Sequence, residues 1–355
     1  MSATVQTAVV GVTGYAGAEL ARLLLGHPRL KSAPPVFAGR VDEKDAARGG
    51  VPLAEIHPEL GNNNGRGELR QLPFTWDLLK QRGVDLLFLA TPHEQSRAWV
   101  PEALQHGLRV IDLSGAWRLS DPANRAVYHF EDEGSDAAKA TQAQAVYGMP
   151  ELHRAEIAGA KLVANPGCYA TSVILALKPL AAAGVIDLEH GIVCDAKSGV
   201  SGAGKAPTAK THFMYAADNL SAYGVFSHRH TGELLEQVGV SAGDLVFTPH
   251  LLPIPRGIMS TIYVHFKEPQ TKASVAKVYH DFFAPSPMVR LYDGSLPQIQ
   301  YCVRTNYADI GFQIDKSGRR AVVVSCLDNL LKGAAGQAVQ NLNVMQGWPE
   351  SEGLV

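Results

Sequence analysis

Short apolar runs alternate with helical stretches over the first 112 residues. The apolar runs are four to six residues long and lie at 7–12, 35–38, 86–90 and 109–112. Apolar side chains recur at helical spacing at 18–25, 74–81 and 95–106. This alternation is typical of a parallel sheet wound with helices. The sequence therefore predicts an α/β fold that opens with a Rossmann-type sheet domain.

The apolar runs change character after residue 168. They become longer, and loops rich in glycine and proline separate them; the runs lie at 191–196, 245–249, 259–266 and 320–326. This pattern predicts a second, α+β domain with a mixed sheet. A closing helix is predicted over 329–345. The glycine- and asparagine-rich stretch at 61–67 is interpreted as an exposed loop.

A glycine-rich turn follows the first apolar run directly. Residues 11–17 have the sequence GVTGYAG and lead into the helical stretch 18–25. Gly11 and Gly14 allow a tight turn close to a pyrophosphate, while Gly17 lets helix and strand pack together. The N-terminus of the helix attracts the anion. This order of elements predicts a dinucleotide site.

Arg40 bears on which dinucleotide binds. It follows the second apolar run, whose end meets the adenosine ribose in this type of fold. An acidic residue there would suit the 2′-hydroxyl of NAD, whereas an arginine suits the 2′-phosphate of NADP. The sequence favours NADP; the alternative is that Arg40 is an ordinary solvated arginine.

Cys168 is the candidate nucleophile. Pro166 and Gly167 form a turn before it, and residues 172–183 are apolar at helical spacing, so the cysteine should begin a helix. Unpaired N–H groups and the helix dipole would then lower the pKa of its thiol. The alternative is a small buried hydrophobic residue, which is how most lone cysteines behave.

Composition narrows the classes of function. The chain has 355 residues, 46% of them apolar, which is enough for two ordinary domains. A net charge of −2 without a basic run argues against nucleic-acid binding. We find no 18-residue apolar stretch and no secretory leader, and we expect a cytoplasmic protein without a membrane anchor. The four cysteines lack metal-ligand spacing, so we predict free thiols and no metal site.

Nine motifs, in order along the chain, resemble those of the N-acetyl-γ-glutamyl-phosphate reductases, NADP-dependent enzymes of arginine biosynthesis. They are GVTGYAGAEL (11–20), LATPH (89–93), DLSGAWRL (112–119), VYGMPEL (146–152), NPGCYAT (165–171), SGVSGAGK (198–205), HRHTGEL (228–234), PHLLPIPRGI (249–258) and DNLLKGAAGQAVQN (328–341). The resemblance spans residues 7–343. Residues 115–117 and Ser172 depart from the usual pattern of the family.

The resemblance implies a fold like that of the semialdehyde dehydrogenases. It implies an NADP-binding domain over 1–155, completed by 329–355, and a catalytic and oligomerisation domain over 156–328. A homo-oligomer, either dimer or tetramer, is expected. The implied reaction reduces N-acetyl-glutamyl 5-phosphate to its semialdehyde through a thioester on Cys168.

The acid/base group of this reaction should be one of two histidines. His228 and His230 are two residues apart, and an imidazole ordinarily titrates near neutrality. The resemblance assigns the role to His230 and keeps His228 in reserve. From the residues alone, a structural role is the favoured interpretation for both histidines.

The resemblance and the strand ends supply the remaining site residues. Arg118 is expected to hold the leaving phosphate, Arg256 is a candidate for the substrate carboxylate, and Asn165 is expected to contact substrate. An exposed or ion-paired arginine is the alternative for either arginine. The expected cofactor contacts are Gly11, Thr13, Gly14, Tyr15, Ala16, Gly17, Arg40, Thr91, Pro92, His93, Ser201, Gly202 and Asn329.

Two alternative functions remain open from the sequence. One is the same chemistry on an aminoadipyl or aspartyl phosphate, although the NPGCYAT and HRHTGEL motifs argue against the aspartate enzyme. The other is a non-catalytic NADP-sensing regulator that keeps the Rossmann fold.

Overall fold

The computed structural model describes residues 5–61 and 69–355. It contains two sheets, each flanked by helices. The loop predicted at 61–67 lies outside the described residues except for Gly61. No helix within the described ranges is long and apolar enough to cross a membrane.

The first sheet has eight strands in the order β3-β4-β2-β1-β5-β6-β8-β7. Every neighbouring pair is parallel except β3 with β4. The strands are β1 Thr7–Val10, β2 Val36–Gly39, β3 Val51–Pro52, β4 Arg70–Pro73, β5 Leu86–Leu89, β6 Arg109–Asp112, β7 Ala145–Tyr147 and β8 Leu162–Ala164. The helices are α1 Tyr15–Gly26, α2 Glu43–Ala47, α3 Leu53–Ile56, α4 Trp76–Gln81, α5 His93–Gln105, α6 Pro122–Arg125, α7 Asp136–Gln142 and α8 Pro150–Gly159.

The second sheet has seven strands in the order β10-β11-β9-β12-β15-β14-β13 and is mixed. Its strands are β9 Ile192–Gly199, β10 Ser221–Ala222, β11 Leu245–Leu252, β12 Ile258–His265, β13 Val289–Tyr292, β14 Ala308–Ile314 and β15 Arg320–Leu327. The helices that follow along the chain are α9 Cys168–Ala182, α10 Phe213–Ala216, α11 Thr231–Val238, α12 Lys272–Phe283, α13 Ile299–Cys302 and α14 Gly336–Met345. The two sheets confirm the predicted fold class.

Helix α9 forms the centre of the second core. It is apolar on nearly all sides and packs against β12, β15 and α11. The buried hydroxyl of Ser172 lies 2.9 Å from Ser260 Oγ and 3.1 Å from Ser325 Oγ. Because these two serines on the facing strands satisfy the hydroxyl, the departure of Ser172 from the family pattern costs no unpaired polar group.

The predicted closing helix is interrupted. A π-helical turn over Leu331–Ala335 precedes α14. Helix α14 packs into the core of the first sheet beside α1 and α8. Strand β8 also belongs to that sheet although it follows residue 155. The division of the chain at 155 and 328 stays a prediction.

Candidate active site

The glycine-rich turn lies at the edge of the first sheet where the strand order reverses. β1 has β2 on one side and β5 on the other, so the turn after β1 opens at the point where such sheets bind ligands. Gly11 has φ of 98°, and a Cβ there would overlap the carbonyl oxygen of Ala90. A Cβ on Gly17 would overlap the Gly11 carbonyl. Only glycine at both positions allows α1 to begin this close to the strand.

The first turn of α1 lines a cavity of about 310 Å³, here called the glycine-turn cavity. Gly14, Tyr15, Ala16 and Gly17 form one wall. Ser201, Gly202, Asn329 and Cys168 also line it. The Asn329 side chain links two loops, because its Nδ2 donates to Ser201 Oγ at 2.9 Å and its Oδ1 accepts from Gly257 N–H at 2.8 Å. Seven of the predicted cofactor residues thus come together beside the cysteine.

The other predicted cofactor residues lie outside this cavity. Thr91 Oγ1 lies 3.1 Å from Ser96 Oγ, and Pro92 caps α5. The Thr13 carbonyl accepts from Lys205 Nζ at 3.2 Å. Arg40 is exposed just after β2. Their predicted roles, with those of Gly11 and His93, stay predictions.

Cys168 is the first residue of α9, as its turn predicted. Gly167 caps the helix, and a Cβ on it would overlap His230 Nε2. Gly333, in the π-helical turn, approaches from the other side: a Cβ there would lie 2.7 Å from Cys168 Cβ. Two glycines therefore allow the histidine ring and the closing segment to pack around the thiol.

The expectation that the pKa of Cys168 is lowered is wrong. Burial raises the pKa of the thiol to about 11, and the negative charge of Glu233 adds to this. The Tyr169 N–H at the helix start and the Arg118 guanidinium act in the opposite direction but do not outweigh burial. The residue is a protonated thiol at neutral pH, so a thiolate requires a base.

His228 and His230 both line a second cavity of about 320 Å³ that Cys168 also lines, here called the histidine cavity. Burial and the neighbouring His228, Arg118 and Arg229 hold the pKa of His230 well below 6.5. Burial and Arg229 lower the pKa of His228 to about 4. Both rings are neutral at physiological pH and can accept a proton.

The two histidines have different surroundings. His228 lies among aromatic rings, with Tyr223 and Phe247 within 5.6 Å of its centroid, and its Nδ1 accepts from the His230 N–H at 3.1 Å. His230 packs on Gly167, and its buried Nδ1 has no hydrogen-bond partner among the described residues. His230 is therefore nearer the cysteine turn, and His228 fixes its backbone.

Glu233 is a site residue that the sequence reasoning missed. Its fully buried carboxylate accepts from Arg118 Nη1 at 3.1 Å, from the Tyr147 hydroxyl at 2.7 Å and from the Gly167 N–H at 2.9 Å. It lies within the HRHTGEL motif, three residues after His230, and that position was the available signal. The carboxylate joins α11, the first sheet and the cysteine turn.

The three predicted substrate residues have different positions. Arg118 lines both cavities; its Nε donates to the Asn165 carbonyl at 2.7 Å and its Nη2 to the Leu113 carbonyl at 2.8 Å. Asn165 is buried, and its amide bonds to Ala334 and Asn341. Arg256 pairs with Glu19 and Asp328 and lines neither cavity. These positions do not favour substrate contact by Asn165 or Arg256.

A search of the described residues finds no group of three or more histidine, cysteine or acidic side chains arranged to hold a metal ion. The four cysteines are free thiols. The site presents a thiol, two imidazoles and the cationic side chains of Arg118 and Arg229.

Comparisons with known proteins agree with this architecture. Residues 6–160 match the family model "Semialdehyde dehydrogenase, NAD binding domain", and 168–329 match "Semialdehyde dehydrogenase, dimerisation domain". Aspartate semialdehyde dehydrogenase II from Vibrio cholerae superposes with a TM-score of 0.68 at 19% identity, over 97% of this chain and 98% of that one. At this identity the likeness concerns the fold.

Curated relatives are closer in sequence. The N-acetyl-gamma-glutamyl-phosphate reductase of Dehalococcoides mccartyi is 42% identical over 98% of this chain and 96% of its own. The N-acetyl-gamma-glutamyl-phosphate reductase of Methanocaldococcus jannaschii is 40% identical over 98% of this chain and 97% of its own. The fold and the site thus define a semialdehyde dehydrogenase with a nicotinamide-binding domain. Within that class the chain belongs to the N-acetyl-gamma-glutamyl-phosphate reductase family, which confirms the resemblance found in its motifs.

Because the pKa of Cys168 is raised to about 11, its reaction with iodoacetamide should depend steeply on pH. Only the thiolate reacts, so we expect the rate to rise about tenfold per pH unit between pH 8 and 10 without a plateau. Peptide mapping of quenched samples measures this, with Cys168→Ser as the control for labelling elsewhere. A plateau below pH 8 would mean that the thiolate is stabilised in the free protein.

Proposed function

We propose that this chain reduces N-acetyl-glutamyl 5-phosphate to N-acetyl-glutamate 5-semialdehyde and phosphate, with NADPH as reductant and a thioester on Cys168 as intermediate. The observation that carries the proposal is the position of Cys168. Its side chain lines both the glycine-turn cavity and the histidine cavity. A thiol at this junction can bond to an acyl group in one cavity while a nicotinamide approaches from the other.

The glycine-turn cavity fits a dinucleotide. Close packing at Gly11 and Gly17 keeps the start of α1 open to an anion, and the first-turn N–H groups can donate to a pyrophosphate. Ser201, Gly202 and Asn329 extend the cavity toward Cys168, where the nicotinamide would lie. When bound, the cofactor supplies the hydride that the acyl carbon accepts.

The first step is attack by Cys168 Sγ on the acyl carbon. His230 takes the thiol proton, the C–S bond forms, and the C–O bond to phosphate breaks. The oxyanion that forms at the carbonyl can accept from the N–H groups at the start of α9, an interaction typically worth about 3–4 kcal/mol per donor. Arg118 has three of its five N–H groups bonded within the protein, which leaves two for the departing phosphate.

The second half of the reaction releases the aldehyde. After hydride has reached the thioester carbon, His230 returns its proton to the thiohemiacetal oxygen or to the departing sulfur. The C–S bond then breaks and the thiol is restored. One hydride and one proton convert the thioester into an aldehyde and a thiol, so the step is balanced.

Substrate binding should make His230 a stronger base. The cations Arg118 and Arg229 contribute to its low pKa, and an anionic substrate placed between them would neutralise part of that effect. The proton of Cys168 would thus be taken up mainly when an acyl phosphate is present. Without substrate, Cys168 and His230 are both neutral. A protonated thiol is alkylated or oxidised more slowly than a thiolate.

The exposed face of the second sheet supports a homo-oligomer. Val246, Val193, Tyr263 and Val322 are cross-strand neighbours on four adjacent strands, and the first three are 37–42% exposed. Such an apolar row on a sheet face is typical of a protein interface. We infer that a second copy covers it. A monomer in sedimentation velocity at micromolar concentration would exclude this.

Cys168→Ser should abolish turnover. A serine hydroxyl has a far higher pKa than a thiol and cannot form the ester at neutral pH, while NADP binding should remain intact. Turnover is measured in the oxidative direction, with N-acetyl-glutamate semialdehyde, NADP and phosphate. Aspartate and aminoadipate semialdehydes serve as comparison substrates. Preference for one of these, or more than a few per cent of activity in the variant, would contradict the proposal.

His230→Asn should lower kcat by about 10²–10⁴, whereas His228→Asn should have the smaller effect on kcat. A base must be neutral to act, so wild-type kcat/KM should fall only as the pH drops well below 6.5, through the low pKa of His230. The pH–rate profiles of both variants measure this. A larger loss of kcat in His228→Asn would reverse the two roles.

Arg40→Ala should weaken NADP binding by about 1.5–3 kcal/mol, the range for a hydrogen bond to a charged group, and leave NAD binding nearly unchanged. Arg40 is exposed at the end of β2, and the nearby carboxylate of Asp42 is used to cap α2 by accepting from the Asp45 N–H. Fluorescence titration with both cofactors measures the difference. Equal losses for NADP and NAD would overturn this assignment.

A further inference from the structure

This inference rests on the proposed function, because it concerns the second anion of its substrate. The acyl phosphate carries a phosphate at one end and an α-carboxylate at the other. Arg118 has two N–H groups left, is 9% exposed and lies beside the cysteine turn, so it is suited to the phosphate. The carboxylate needs a different cation.

Arg256, the cation suggested by the sequence, already forms ion pairs within the protein. It pairs with Glu19 on α1 and lies 3.5 Å from Asp328 Oδ2, so two carboxylates share its charge. It lines neither cavity that contains Cys168. An anion that reached it would have to displace an ion pair between the two halves of the protein.

Arg229 is available in the histidine cavity. It is exposed and stands between His228 and His230 in the chain, and its guanidinium lies 5.9 Å from the centroid of the Tyr128 ring. Within residues 5–61 and 69–355, no carboxylate forms a salt bridge with it. Lys210 also lines this cavity, but it belongs to an exposed loop and has no described contact that would fix its ammonium group. Arg229 is therefore the better-positioned of the two unpaired cations.

His93 gives the second observation. Its Nε2 lies 2.6 Å from Arg229 Nη1, and its Nδ1 lies 2.8 Å from the Gly115 nitrogen. At 2.6 Å the two nitrogens must share one hydrogen, so Arg229 Nη1 donates to the lone pair of His93 Nε2. Burial and the charge of Arg229 lower the pKa of His93 to about 4, which keeps the ring neutral. His93 thus holds one edge of the Arg229 guanidinium on the wall of the cavity, and the other N–H groups of Arg229 have no carboxylate partner within residues 5–61 and 69–355.

We propose that Arg229, positioned by His93, binds the α-carboxylate of the substrate and thereby selects acyl chains that end in a carboxylate. A carboxylate can accept two parallel hydrogen bonds from the edge of the guanidinium that does not face His93. This arrangement puts the two anions of the substrate on two different arginines, with the reacting carbon between them at Cys168.

The test compares Arg229→Gln with the wild type in the oxidative direction. KM for N-acetyl-glutamate semialdehyde should rise about 10- to 100-fold, a larger change than in kcat or in KM for phosphate, because the lost contact binds ground and transition states alike. The KM of Arg229→Lys for the semialdehyde should lie between those of the wild type and Arg229→Gln, since an ammonium group keeps the charge but lacks the planar guanidinium. Arg319→Gln, an exposed arginine that contacts Lys267 and Glu268 elsewhere, is the matched control.

A comparison of a charged with a neutral substrate on the same enzyme sample tests the contact independently of folding yield. The α-amide of the same semialdehyde lacks the charge, so wild-type kcat/KM should favour the acid over the amide by about 10- to 100-fold. In Arg229→Gln this ratio should fall close to one. The ratio does not depend on how much of the variant is folded.

Three results would overturn the inference. A rise in KM for phosphate instead of semialdehyde would assign Arg229 to the phosphate. An unchanged acid-to-amide ratio in Arg229→Gln, with an active wild type, would remove this inference and leave the proposed function standing. A wild type inactive on every acidic semialdehyde would remove the proposed function, and this inference with it.

Discussion

The buried carboxylate of Glu233 is the constraint on which the site depends. It is fully buried and accepts three hydrogen bonds, from Arg118, Tyr147 and the Gly167 N–H. Removing a partner from a buried ion pair typically costs about 3–5 kcal/mol, because it leaves an uncompensated charge. The buried carboxylate therefore stabilises the positions of all three donors, because the loss of any one of them would leave part of a buried charge unpaired.

These three donors come from three parts of the fold. Arg118 follows the first sheet's β6, Tyr147 ends β7, and Gly167 caps the cysteine helix. Glu233 itself lies on α11, directly after the histidines. One anion thus fixes the distance between the nucleophile, its base and the cation that faces the leaving group. It also contributes to the high pKa of Cys168, so the same group that orders the site keeps the thiol protonated.

Apolar periodicity and turn residues predict those strands and helices whose formation depends on residues close to them in the chain. The strand β6 and the start of α9 at Cys168 follow from apolar patterning and turn residues alone. Strands β7 and β8 were missed because three residues are too short to show a period. Strand β14 was missed because Asp309 and Gly311 interrupt its pattern. Asp309 pairs with Arg290, and a Cβ on Gly311 would lie 2.7 Å from the Ser295 carbonyl.

The electrostatics of the site could not be predicted in the same way. Whether a helix start lowers the pKa of a thiol depends on how deeply the rest of the chain buries it, and here burial outweighs the helix. The pairing of Glu233 with Arg118 joins residues 115 positions apart, and the hydrogen bond between Arg229 and His93 joins residues 136 positions apart. A single sequence contains the partners but not their proximity. The family resemblance supplied His230, which spacing alone did not distinguish from His228.

The position of α14 has a consequence for how the protein is made. All ten of its residues are buried, and Gln337 and Asn341 donate to the Gly148 carbonyl in the turn before α8. The ribosome has therefore released every strand of the first sheet long before it makes the helix that covers one face of that sheet. Until then the nascent chain exposes apolar side chains that the finished protein buries. The core of the first sheet can therefore be completed only after α14 has left the ribosome.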